Sequence, residues 1–348
     1  MNRSAPPSRD PGWHAHDDPE RPVPDERERL ARAPQATRGR AFPPAPLSPH
    51  TSDDAIWIIS QSTDLAGLYG ASSVTWRLNR EATLLLGAGP RALLMQIAHP
   101  LIAEGVDQHS DFRVDPWRRL RGTLRSYLAI VYGTATTARA EIRRLNVLHR
   151  GVGGPVRDPL ARAVSGAAAY HARDPKLGLW VHATLIDATL VAHDALIGSI
   201  TRVDRARFYA ETRPIGRALG IPDAILPTDL DAFEAYLAEQ LGPTGPIRVT
   251  PTARELARTI LAPPLGPLHP GLASIPASLY AWTLWPAIAL LPPQIRDAYG
   301  LTWTARERAV AAWLALGFRA WRPLLPRTWR TMPQALAADA RMAAAVPR

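Results

Sequence analysis

Apolar positions recur mostly at intervals of three and four, the spacing of helices that bury one face, and helix start and stop residues bracket them. Asp115-Pro116 puts an N-cap before a proline at the first helical position, and the row Leu120, Leu124, Tyr127 and Leu128 runs on to a stop at Gly133. A second helix is expected from near Thr136 to Gly151. Asp174-Pro175 repeats the start signal before KLGLWVHATLIDATLVAHDALIG, which would end at Gly198 after about 24 residues and, being apolar on most sides, is expected at the centre of the fold. Thr201-x-x-Asp204 and Thr228-x-x-Asp231 read as capping boxes before helices ending at Gly220 and Gly242. GAGPRALLMQIAHP reads as a glycine-proline helix start, and Pro251, the region 282–291 interrupted by Pro286, and 304–316 supply further helices. Runs of alternating β-branched residues are scarce and no solenoid-like repeat is visible, so the expected fold class is all-α.

From Met1 to His50 the chain is rich in proline, arginine and acid and poor in large apolar side chains, so ordering it would cost more entropy than burial returns. A disordered tail is therefore expected over 1–50, a single helical domain over 51–330, and a short helix or tail over 331–348. The chain has no cysteine, which removes disulfides, thiolate zinc sites, iron–sulfur clusters and cysteine nucleophiles and leaves a metal to histidine, carboxylate or a macrocycle. The net charge is +10, yet Lys176 is the only lysine and the arginines are dispersed, with no basic arm of interleaved aromatics, so nucleic acid is not an expected partner. No apolar run approaches the ~20 residues that span a bilayer, and the first residues lack an apolar stretch after their charges; a cytoplasmic protein without a transmembrane segment is expected. Trp117-Arg118-Arg119 and Trp321-Arg322 remain compatible with peripheral contact with lipid.

His171, His182 and His193 recur every eleven residues, three helical turns, but that spacing rises about 16 Å and does not gather ligands at one ion. Packed core histidines are the plainer reading of the last two. His99, Glu104, Asp107 and His109 are dense in chemistry, although their spacing is neither HExxH nor ExxH; a non-haem metal site, and with it a hydrolase, is one alternative. Arg119 and Thr123 stand four apart on one helix face, a cation and a hydroxyl able to serve a bound anion or dioxygen, or equally a surface ion pair. His149 closes a helix beside Leu145 and Leu148, where it is either a cap complementing the helix dipole or an imidazole free to hold iron.

Four stretches carry a resemblance: the run from Gly89 through AHPLIAEGVDQHSDFRVDPWRRLRGTL, then RLNVLHRGVGG, AYHARDPKLGLWVHATLID and LLPPQIRDAYGLTW. Together they resemble the MpaB and rubber-oxygenase catalytic-domain family, which includes bacterial latex-clearing proteins and an oxygenase of mycophenolic acid biosynthesis, over about residues 55 to 325. The resemblance implies a globin-like helical core, haem b, and attack by dioxygen on a hydrophobic, unsaturated substrate such as an isoprenoid, lipid or secondary metabolite. It implies His149 as the axial iron ligand, and Arg119 and Thr123 as functional residues. His99, Glu104 and His109 lie in the best-matching stretch, where a distal ligand or proton acceptor is expected. The latex-clearing branch has a lysine immediately before the threonine; here that position is Gly122. A haem-binding sensor or carrier without turnover is the other reading that keeps the same cofactor.

Overall fold

A computed structural model describes residues 64–110, 115–262 and 284–345. The expected tail over 1–50 and the start of the 282–291 region lie outside the described residues. In chain order the helices are α1 (Val74–Asn79), α2 (Leu84–Ile97), α3 (Pro100–His109), α4 (Pro116–Tyr132) and α5 (Ala135–Arg150), followed by strand β1 (Gly153–Pro155), α6 (Pro159–Ser165) and strand β2 (Ala169–His171). Then come α7 (Pro175–Leu196), α8 (Arg202–Ala218), α9 (Leu230–Leu241), α10 (Pro251–Leu261), α11 (Pro293–Ala298), α12 (Ala305–Trp321), the single turn α13 (Arg327–Arg330) and α14 (Pro333–Ala344). Residues 284–289 are also helical. The fold is all-α: β1 and β2 form a single antiparallel pair, with Gly153 opposite His171 and Pro155 opposite Ala169.

The helix starts follow local capping chemistry. Asp115 accepts from the Arg118 amide ahead of α4, Asp174 from the Lys176 amide ahead of α7, and Thr201 from the Asp204 amide ahead of α8. At α9 the expected cap Thr228 gives way to its neighbour: Asp229, a charged acceptor, takes the Ala232 amide, while the Thr228 hydroxyl donates to the Asp229 carboxylate. The helix after Gly133 begins one residue sooner than expected, at Ala135, with Thr134 as its cap.

The larger correction concerns GAGP. Helix α2 starts at Leu84 and carries Pro90 in its interior. Gly87 is there for approach: a Cβ on it would stand 2.9 Å from Leu196 and 3.2 Å from Ala192, both on α7, whereas one on Gly89 would meet nothing within 4 Å. Close packing of α2 on α7 thus replaces the local start signal. The same contact carries a buried hydrogen bond from the Trp180 indole to the Met95 carbonyl at 3.0 Å. Arg91 and Asp187 form an ion pair there at 2.7 Å, close in distance but outside hydrogen-bond direction at that nitrogen.

Helix α7 is central. Its Trp180 enters one apolar cluster with Leu94, Met95, Leu256 and Tyr299. Ala183, Ile186 and Leu190 enter a second with Val74, Phe208 and Phe233, and Ala188 and Ala192 meet α2 in a third. The closing helix α14 joins the core as well, where Met332, Ala335 and Ala338 pack against Trp76, Leu128 and Tyr132.

Candidate functional site

Helices α4 and α5 are joined by only Gly133 and Thr134 and pack along each other as a hairpin. The last turn of α5 thereby returns beside the first turns of α4. His149 continues the buried row Ala138, Ile142 and Leu145 along α5, while Arg119 and Thr123 lie one turn apart on α4. The arginine is near enough for its charge to act on the histidine.

The His149 ring is half-buried and has no hydrogen-bond partner among the described residues. Its pKa is pushed below 6.5, first by burial and then by the charges of Arg119, Arg144 and His171. The imidazole is accordingly neutral at pH 7, the form that can donate a lone pair to iron. Arg119 is exposed to solvent, yet the protein packed around it lowers its pKa. No carboxylate pairs with Arg119 among the described residues, whereas neighbouring Arg144 is held by Glu141 at 2.6 Å. Thr123 is half-buried, and beside it Gly122 faces open space, with no atom within 4 Å of where a Cβ would stand.

The other expected residues have structural partners. Glu104 is 2% exposed, and its carboxylate accepts from the Arg157 amide at 3.0 Å, the Asp158 amide at 2.9 Å and Gln108 Nε2 at 2.6 Å. It clasps α3 to the segment entering α6. His99 is buried at the α2–α3 break, where its Nδ1 accepts from the Leu101 amide at 3.2 Å and burial lowers its pKa to about 4. Exposed His109 lies 3.0 Å from the Gly153 carbonyl through Nε2 and edge-on to Tyr170. Among the described residues no three His, Asp or Glu side chains are grouped to hold a metal ion, so the alternative built on His99, Glu104, Asp107 and His109 is not assembled. In the long helix, His193 Nδ1 meets the Gly198 carbonyl at 2.8 Å. His182 is buried without a partner at Nε2, against Gly216 of α8.

His171 is the neighbour that sequence reasoning missed. Its charge acts on His149 because β2 pairs with β1, which directly follows α5. Three-residue strands with two glycines leave no alternation to find.

The fold is all-α, and in it a half-buried histidine whose ring has no partner among the described residues lies near an arginine that has no carboxylate. The chain belongs to the family described as ER-bound oxygenase mpaB/B'/rubber oxygenase, catalytic domain, whose profile matches residues 76–325. It is an oxygenase family. Among curated proteins, the chain is similar to uncharacterized protein Mb2261 of Mycobacterium bovis and uncharacterized protein Rv2237 of Mycobacterium tuberculosis. Each is 28% identical over 244 residues, covering 68% of this chain and 89% of the relative. No solved structure matches the chain significantly. No helix among the described residues is long and apolar enough to cross a membrane.

Proposed function

We propose that the chain is a haem b-dependent oxygenase that uses dioxygen on a small hydrophobic, unsaturated substrate, with His149 as the residue that would hold the iron. The carrying observation is the proximity of a neutral imidazole and a guanidinium that have, among the described residues, no ring partner and no carboxylate. This donor set fits haem, which asks one side chain for a lone pair and presents acidic propionates to a cation. It does not fit an ion held wholly by protein ligands, for which no cluster is present among the described residues.

When bound, haem supplies the redox-active iron that dioxygen chemistry requires. His149, kept neutral by burial and by the cations around it, offers its nitrogen without first losing a proton. Arg119 would hold positive charge near His149, to anchor an acidic group or stabilise charge that develops during reaction. The Thr123 hydroxyl, one turn further along the same face, orients a polar atom beside the substrate. Gly122 leaves room next to it, so that here a substrate has space that a long side chain would fill.

The test is an absorption spectrum of the full chain purified from cells supplied with a haem precursor, before and after dithionite. A Soret band that shifts on reduction and is lost in His149→Ala is expected. A His149→Ala protein with full haem content would remove the ligand assignment. Oxygen uptake with an alkene then separates an oxygenase from a sensor or carrier.

A further inference from the structure

Helix α12 is 17 residues long and buries none of them. On it and the turns that follow, Trp313, Trp321 and Trp329 are 72, 68 and 73% exposed, and Leu316 and Leu324 are 63 and 73% exposed. Single exposed apolar residues are ordinary, but a run of this kind marks a surface that meets something. The charge around it is one-sided. Residues 305–330 hold six arginines and one acid, Glu307, which is occupied in capping α12 through Thr304. Arg322 and Arg327 are tied to Glu81 and Asp339. Arg308 donates to the Trp303 carbonyl and Arg319 to the carbonyls of Asp194 and Ala195, which leaves Arg306 and Arg330 without a side-chain partner among the described residues.

We infer that the face built by α12 and α13 is a docking surface for a bilayer with anionic headgroups. Tryptophan, with an apolar body and a polar N–H, settles at headgroup depth, and unpaired arginines beside it answer acidic lipid. A second copy of the chain fits less well, because a two-fold contact through this face would bring the unpaired arginines of both copies together. The inference stands apart from the haem site and needs none of its residues.

The full chain, loaded with haem or not, is mixed with vesicles of phosphatidylcholine alone or with added phosphatidylglycerol; sedimentation and tryptophan emission are read. Binding to the acidic vesicles at low salt is expected, with emission shifted to the blue. Affinity should drop at least about tenfold in the Trp313→Ser/Trp321→Ser/Trp329→Ser variant, and also in raised salt. If that variant loses its helical circular dichroism, Arg306→Gln/Arg330→Gln, which keeps the apolar face, should weaken binding in the same direction. Equal binding to both vesicle types, no binding to either, or a dimer that the tryptophan variant dissolves would each overturn the inference.

Discussion

At the scale of single residues, the proposed function turns on what surrounds an imidazole. His149, His99 and His182 all have lowered pKa values, but of these three only His149 combines a neutral ring with partial solvent access and a nearby cation that has no carboxylate among the described residues. Protonation would abolish its lone pair, so haem retention should persist through neutral pH and fall as pH drops through a value below 6.5; a Soret titration checks this. Arg119→Ala should keep the Soret band and slow turnover by about ten- to a hundredfold, the loss expected when one charge-stabilising group is removed. Unchanged turnover would leave Arg119 a bystander. The sequence pointed to these residues through a motif, and to Glu104 by the same route. Yet the partners of Glu104 are backbone amides some fifty residues downstream, and nothing in its local spacing announces them.

At the scale of elements, local chemistry was legible and close approach was not. Asp115, Asp174 and Thr201 act within three residues of themselves, so their capping could be read directly, and helices α4, α7 and α8 lie where the spacing puts them. Gly87 takes its meaning from Leu196, more than a hundred residues away, and so a helix interior looked like a helix start. Gly87→Val should force α2 off α7 and cost about 2 kcal/mol or more by overpacking, measured as a lowered urea midpoint at unchanged slope. A neutral outcome would mean that Leu196 and Leu290 repack without strain.

At the scale of the whole molecule, two buried neutral histidines make stability depend on pH. His99 and His182 have folded pKa values of about 4, against 6.5 for the free side chain. Between those values the unfolded chain takes up protons that the folded one refuses, so stability is full above pH 6.5 and declines as pH falls towards 4. The loss is on the order of 3 kcal/mol for each histidine. Chemical unfolding at pH 7 and 5 tests it, and His182→Leu should flatten the slope; a midpoint indifferent to pH would refute the account.

The two-residue connection between α4 and α5 has a consequence in time. Arg119 and His149 lie on neighbouring arms of one hairpin, whereas α14 must travel back to Trp76 across most of the chain. Contacts of short sequence separation close earliest during folding. Arg119 and His149 would then be neighbours before the C-terminus has docked, and a haem held as proposed by His149 would act as a template for the rest of the domain.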